Sequence, residues 1–152
     1  MSPSIDFYCH HFSVLSTSDL YEALALRIEV FAIEQQCIYQ DADGKDYDSW
    51  HVIGKDNQGT IVAYARILPK GIAYQQYASI GRVVTRQSHR QTGLGKILMQ
   101  HCMQFTSTHL PKGPIKISAQ AYLIRFYEGF GFMTVGETYL EDGIPHIGMI
   151  AK

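Results

Sequence analysis

The segment from Ile80 to Phe105 constrains the fold of this 152-residue chain more than any other segment. Its first residues are apolar and β-branched, which predicts a strand, and a polar loop from Arg86 to Thr92 follows. Gly93-Leu94-Gly95 then opens a predicted helix with one apolar face, made of Leu94, Ile97, Leu98, Cys102 and Phe105. A strand, a glycine-bearing loop and a helix N-terminus together present unpaired backbone N–H groups, and such an arrangement binds anions.

The spacing of the glycines excludes two common phosphate-binding motifs. A dinucleotide fingerprint needs a third glycine where this chain has Leu98. A Walker loop needs a glycine where Arg90 stands and a serine or threonine where Ile97 stands. The remaining pattern is Arg90-x-x-Gly93-x-Gly95, directly after a predicted strand, and it predicts a phosphate site of another kind.

Composition and charge argue against several classes of function. Thirteen basic and fourteen acidic residues give a net charge of -1, whereas nucleic-acid-binding surfaces usually carry a basic excess. The sequence has no apolar run of membrane-spanning length and no signal-peptide pattern, so we expect no membrane partner. Three widely spaced cysteines imply no disulfide framework, and we expect a cytoplasmic protein. Adjacent Cys9, His10 and His11 alternate between the faces of a strand, so no metal site is expected.

The apolar periodicities and turn residues predict a single domain over residues 1–152. The expected elements, in chain order, are a strand at 7–12, a helix ending near 33–34, a hairpin of strands at 50–55 and 60–68, a strand at 77–85, the helix that follows Gly93, a strand at 115–119, a short helix at 121–130, and a terminal hairpin of strands at 132–140 and 144–150.

Two polar features each allow two interpretations. Arg27 and Glu34 are seven residues apart and therefore share a helix face, which either meets solvent or looks into a substrate cleft. The acidic loop from Tyr39 to Asp48 either attracts a cationic acceptor or is a solvated connection. A calcium loop is excluded here, because Trp50 stands where a bidentate glutamate is required.

A second motif follows in the second half of the chain, where Ala119–Phe132 ends in Phe126-Tyr127-x-x-Phe130-Gly131-Phe132. Together with Arg90-x-x-Gly93-x-Gly95, it resembles the two signatures of GNAT-type N-acetyltransferases. The segments 27–35, 39–44, 63–66 and 141–149 are similar to the ElaA-type branch of that family. The chain departs from many relatives at Gln91, where they have glycine, and at Gln87 or Ser88, where they have a proline in the loop.

The resemblance implies an α+β fold, an α/β sandwich whose mixed and mostly antiparallel central sheet is flanked by helices. It also implies a V-shaped splay between the strands near 80–85 and 115–119, into which acetyl-coenzyme A enters as co-substrate. Its pyrophosphate would be held by Arg90 and by the amides of Gln91, Thr92, Gly93, Leu94, Gly95 and Lys96. Its pantetheine arm would pair with the backbone of Val83, Val84 and Thr85.

The implied reaction is direct transfer of an acetyl group to a primary amine of a small molecule or a peptide. Tyr127 resembles the family's general acid, which faces the sulfur. Because an alkylamine has a pKa of about 10.4, the reaction also needs a base, and Glu34 is predicted ahead of His51 and His146.

Two other functions fit the same resemblance: a non-catalytic acyl-coenzyme A-binding module, and an acyl-homoserine-lactone synthase that takes acyl chains from a carrier protein. The phosphate loop favours coenzyme A over a carrier protein. The exposed terminal strand could also pair with a second subunit, which would give a homodimer.

Overall fold

Residues 4–152 are described by the computed structural model, and their seven strands form two antiparallel sheets. The first sheet has the order β1-β2-β3-β4, with β1 Asp6–His11, β2 Trp50–Lys55, β3 Ile61–Leu68 and β4 Ser79–Thr85. The second has the order β5-β7-β6, with β5 Ile115–Gln120, β6 Met133–Glu141 and β7 Ile144–Ala151. Both predicted hairpins are therefore confirmed.

The two sheets join at a single point, and this point creates a splay. Ala78 forms a parallel bridge with Ile115, and the Lys116 amide donates to the Ala78 carbonyl at 2.9 Å. Beyond this bridge, β4 and β5 run side by side without pairing in the part of the chain that the structure describes. The α+β fold and the V-shaped opening between these strands are confirmed.

The first helix has two parts. α1, Thr17–Arg27, begins after Ser16, whose Oγ accepts a hydrogen bond from the Asp19 amide at 3.1 Å. The chain then continues as a π-helical segment, Ile28–Glu34, which ends where the sequence predicted the helix to end. π-Helical turns are rare and are found mostly at functional sites.

The second helix, α2, Leu94–His109, packs against both sheets and fills the core at their junction. Leu98, Met99 and Cys102 are fully buried there. The predicted apolar face is buried at Leu94, Leu98 and Cys102 but not at Ile97, which is 43% exposed because it lies at the margin of the face. Met99 is a buried residue that the prediction did not include.

The helix predicted at 121–130 is shorter than expected. A 3₁₀ turn, Ala121–Leu123, precedes α3, Ile124–Glu128. The terminal strand β7 lies between β5 and β6 and therefore has no free edge for a second copy. A homodimer formed through an outer strand such as β6 stays a prediction. Among residues 4–152, no helix combines the length and apolarity that a membrane crossing requires.

Candidate active site

A cleft of about 990 Å³ occupies the splay between β4 and β5. This volume lies at the upper end of the range of about 300–1,000 Å³ that is usual for small-molecule sites. The cleft brings together seven of the residues that the sequence predicted for the site: Glu34, Val83, Val84, Thr85, Arg90, Gly95 and Tyr127.

The cleft has two sides, and successive side chains along β5 point alternately to one side and to the other. Ile117 and Ala119 face the core beneath α2, so Ser118 and Gln120 face the opposite side. Gln120 exchanges side-chain hydrogen bonds with Gln35, directly after the π-helical segment, at 3.4 and 3.5 Å. We call the side with α2 and its preceding loop the α2 side, and the side with Gln35 and Gln120 the α1 side.

On the α2 side, the loop before α2 offers a row of unpaired amides. The Arg90 amide donates to the Gln87 carbonyl, and the next amide with an acceptor is that of Ile97, which donates to the Gly93 carbonyl at 3.2 Å. Within residues 4–152, the intervening amides have no hydrogen-bond acceptor: Gln91, Thr92, Gly93, Leu94, Gly95 and Lys96. This donor set suits the phosphates of a coenzyme A-type molecule.

The shape of this loop depends on two left-handed residues. Gly93 has φ of 82°, which glycine adopts without strain, and a Cβ there would meet no atom within 4 Å. Gln91 has φ of 63°, a conformation that costs a non-glycine residue free energy. Gln91, which stands where many relatives have glycine, therefore carries local backbone strain.

Arg90 links this loop to the end of β4 and to the π-helical segment. Its Nε and Nη2 donate to the Thr85 carbonyl at 3.2 and 3.0 Å, and its Nη2 also donates to Glu34 Oε2 at 2.7 Å. The Thr85 carbonyl, predicted to pair with pantetheine, is thus engaged by Arg90. The predicted base, Glu34, is in an ion pair with the predicted phosphate ligand.

Tyr127 lies on α3 and is 8% exposed. Burial, followed by the neighbouring Cys102 and Tyr122, raises the pKa of Tyr127 above its ordinary value, so the phenol stays protonated at neutral pH. Its ring packs edge-on against Phe126 and Phe132 and lines the cleft. A protonated phenol at this position can donate to a group in the cleft.

Three arginines neutralise the acidic loop. Fully buried Arg27 contacts Asp41 at 2.9 Å and Asp46 at 2.8 Å. Arg66 holds Asp43 with two N–H groups, at 2.6 and 2.8 Å, and also reaches Asp46 at 2.9 Å. Both interpretations of Arg27 are therefore wrong, since it meets neither solvent nor the cleft. The charges of Asp41, Asp43 and Asp46 are thus already paired, whereas exposed Asp48 has no basic partner within 4.0 Å among residues 4–152, so attraction of a cationic acceptor by this loop stays a prediction.

The third arginine, Arg82, was not predicted, and it lies at a bulge in β4. The β3–β4 register shifts between Tyr64 and Arg66, and Arg82 has φ of 49°. Its Nε donates to Asp41 at 3.0 Å, and its guanidinium stacks over the Tyr39 ring at 5.4 Å. These contacts hold a strained residue immediately before Val83. The only hint in the sequence is that a buried acidic loop requires cationic partners.

The two histidines considered as bases have different environments. His51 is fully buried, with Nδ1 2.6 Å from the Tyr64 hydroxyl and Nε2 3.0 Å from the Asp46 carbonyl. Burial also lowers the pKa of His51, so it is a neutral structural residue. His146 lies on β7 and lines the cleft beside Gln120.

The described part of the chain has no cluster of side chains that could coordinate a metal ion. Within residues 4–152, no three His, Cys, Asp or Glu side chains are grouped so that they could hold a metal ion. The cysteines Cys9, Cys37 and Cys102 are free thiols.

Comparison with known proteins identifies the family. The profile of the family described as "Acetyltransferase (GNAT) domain" matches residues 19–152. The chain belongs to the GNAT family. Protein ElaA of Escherichia coli is 45% identical over 141 residues, which are 91% of each chain. The crystal structure of ElaA has a TM-score of 0.91 at 43% identity and covers 98% of this chain and 100% of its own. The similarity to the ElaA-type branch is thus confirmed.

Two further relatives of this GNAT protein extend over nearly its whole length. A UPF0039 protein from Synechocystis is 42% identical over 148 residues, which are 97% of this chain and 96% of that protein. A crystal structure described as an acyl-CoA N-acyltransferase from Pseudomonas aeruginosa has a TM-score of 0.91 at 41% identity, covering 98% of this chain and 100% of its own.

Proposed function

We propose that this GNAT protein is an acetyl-coenzyme A-dependent N-acetyltransferase that transfers the acetyl group directly to a primary amine. The observation that carries the proposal is the convergence of three features on one cleft. These are the unpaired edge of β4, the row of unpaired amides at residues 91–96, which reaches the cleft at Gly95, and the buried side chain of Tyr127.

The α2 side provides the groups that would bind the co-substrate. Phosphates placed at the N-terminus of α2 would accept hydrogen bonds from the loop amides. The positive end of the helix dipole would also stabilise their negative charge. Arg90 would add a charge-assisted contact, for which a phosphate would compete with Glu34. The open edge of β4 at Val83 and Val84 would pair with the amide groups of the pantetheine arm as an added strand does.

The same geometry supports direct transfer. A thioester held along β4 would be reached by an amine from the α1 side, so both reactants could be held together without an acyl-enzyme. A backbone N–H near Val84 is the proposed donor to the thioester oxygen. Tyr127 is the proposed acid that protonates the departing sulfur. The amine also needs a base, for which the sequence predicted Glu34, but Arg90 already contacts one of the Glu34 oxygens at 2.7 Å.

Substitution of Tyr127 by phenylalanine tests the proposed chemistry. When a panel of primary amines is screened as acceptors, we expect wild type to release coenzyme A thiol from acetyl-coenzyme A. The Tyr127→Phe substitution should lower kcat by about 100-fold. Binding of acetyl-coenzyme A should be retained, because the phenol acts on the sulfur during transfer. The matched control is Tyr21→Phe, since Tyr21 is 73% exposed on α1.

The results separate the proposal from its rivals. Full activity of Tyr127→Phe would contradict the acid role. Acetyl-coenzyme A binding without turnover of any amine would favour the binding module. Binding of an acyl carrier protein without binding of coenzyme A would favour the homoserine-lactone synthase.

A further inference from the structure

We propose that His146, held by Glu141, accepts the proton of the acceptor amine, and that these residues form a binding site for a slim cationic primary amine on the α1 side. This inference rests on the proposed function and deepens it by naming the acceptor class and the proton acceptor. It assigns the base to His146 in place of Glu34.

The position of His146 follows from strand register. On β7 it lies opposite Gln120 of β5 and opposite Tyr139 of β6, so these side chains project to one side of the sheet. That side is the α1 side, because Gln120 hydrogen-bonds Gln35 there. His146 is 7% exposed and lines the cleft, which shields its ring from bulk water while leaving it open to the cleft.

The hydrogen bonds of His146 determine which nitrogen is basic. Nδ1 lies 2.7 Å from the Ile144 carbonyl, and because a carbonyl oxygen only accepts, Nδ1 must carry the hydrogen. In the neutral ring, Nε2 is then the nitrogen with the free lone pair. It lies 3.4 Å from Glu141 Oε2, so the carboxylate can stabilise the imidazolium that forms when Nε2 takes a proton. A primary ammonium has three N–H donors and can contact Nε2 and Glu141 at once.

The charge on this side favours a cation. Glu141 and Asp142, at the β6–β7 turn, line the cleft, and neither has a lysine or arginine within 4.0 Å among residues 4–152. Lys45 is the cationic lining residue without an acidic partner in the same range, while Arg66 and Arg82 are paired with the acidic loop. Two carboxylates against one lysine leave a net negative charge, which concentrates cations.

Two contacts across the α1 side limit the size of the acceptor. The Cys37 thiol donates to the Asp142 carbonyl at 3.2 Å, and Gln35 pairs with Gln120. An acceptor must reach His146 between these contacts, which favours an unbranched alkylamine over a bulky or secondary amine.

Two protons leave the acceptor nitrogen during the transfer. The acceptor ammonium gives one proton to His146 Nε2, and the free amine attacks the thioester carbonyl of acetyl-coenzyme A. The C–N bond forms and the C–S bond breaks. The thiolate takes the proton of Tyr127, and the phenolate is reprotonated by the second proton that leaves the nitrogen. The products are the acetamide and coenzyme A thiol, and His146 then releases its proton to water.

The kinetic test uses 1,5-diaminopentane and acetyl-coenzyme A with full-length variants. His146→Asn keeps a donor for the Ile144 carbonyl but removes Nε2, and we expect kcat to fall by about 100-fold or more with unchanged binding of acetyl-coenzyme A. Glu141→Gln should raise the KM for the diamine by about tenfold, because one charged contact is lost. His10→Asn is the matched control, since His10 is exposed on β1. A loss of kcat in Glu34→Gln but not in His146→Asn would overturn the assignment.

A second measurement does not depend on turnover. In protein with ¹³C-labelled histidine, the His146 ring signal is assigned by its loss in His146→Asn, and 1,5-diaminopentane is titrated in the presence of coenzyme A. The inference predicts a saturable shift of this signal that weakens in Glu141→Gln. An unmoved His146 signal overturns the inference, even if other amines are acetylated. Failure to bind acetyl-coenzyme A would instead contradict the proposed function.

Discussion

Arg27 is a fully buried charge, and its surroundings explain how the chain tolerates it. Its guanidinium contacts Asp41 and Asp46, and Arg66 shares the Asp46 carboxylate. Burial alone would raise the pKa of Asp46, but the hydrogen bond and charge of Arg27, with those of Arg66, hold it below its ordinary value. Each charge in this cluster therefore depends on its partners.

Removal of the Asp46 charge should destabilise the fold strongly. Asp46→Asn leaves Arg27 and Arg66 without their shared carboxylate, and we expect a loss of about 3–5 kcal/mol in the free energy of unfolding by urea. Asp48→Asn, at an exposed position in the same turn, should cost less than about 0.5 kcal/mol. Equal losses in the two variants would contradict the role of the cluster.

The pH dependence of this difference has a definite sign. The folded-state pKa of Asp46 is depressed, so its contribution is present above the unfolded pKa of about 3.9 and is lost as the pH falls through the folded value. The stability difference between wild type and Asp46→Asn should therefore stay constant from pH 8 to 5 and shrink only below about pH 4.

At the scale of elements, α2 connects the core to the phosphate loop. Leu98 is fully buried between the sheets, whereas its neighbour Ile97 is 43% exposed. The buried side chains of α2 therefore fix the helix in the core. This in turn fixes its N-terminus and the loop amides beside the cleft.

A pair of adjacent substitutions tests this anchoring. Leu98→Ala creates a cavity in the core and should lower the free energy of unfolding by about 2–5 kcal/mol. Ile97→Ala should cost less than about 1.5 kcal/mol, because much of its side chain is already in water. Thermal or urea unfolding measures both. A similar cost for the two would mean that α2 does not pack as described.

The sequence predicts the elements well and their irregularities poorly. Strands, helices and hairpins follow from local periodicity and turn residues, as at Gly93 and at the Asp142-Gly143 turn. The π-helical segment Ile28–Glu34 and the bulge at Arg82 have no local pattern. The ion pairs of Arg82 with the loop Asp41–Asp46 stabilise its conformation, and those residues are remote in sequence.

At the scale of the whole molecule, the site arises from the way the two sheets diverge from one bridge. The glycine loop and Tyr127 could be predicted, because each belongs to a contiguous motif that resembles a GNAT signature. The pairing of Glu34 with Arg90, and the position of His146 beside Gln120, could not be predicted. They depend on contacts between segments that are distant in the chain.

The most direct test of the account is calorimetric titration of acetyl-coenzyme A into wild type, Gly95→Glu and Gly113→Glu. Gly95 lies in the first turn of α2, and a Cβ there would meet only Phe126 at an ordinary 3.9 Å, so the variant should fold. We expect binding by wild type and by Gly113→Glu, because Gly113 is exposed and a Cβ there would meet no atom within 4 Å. The added carboxylate of Gly95→Glu should weaken binding by about tenfold or more, because it repels the phosphates. No binding by folded wild type, or equal binding by Gly95→Glu, would contradict it.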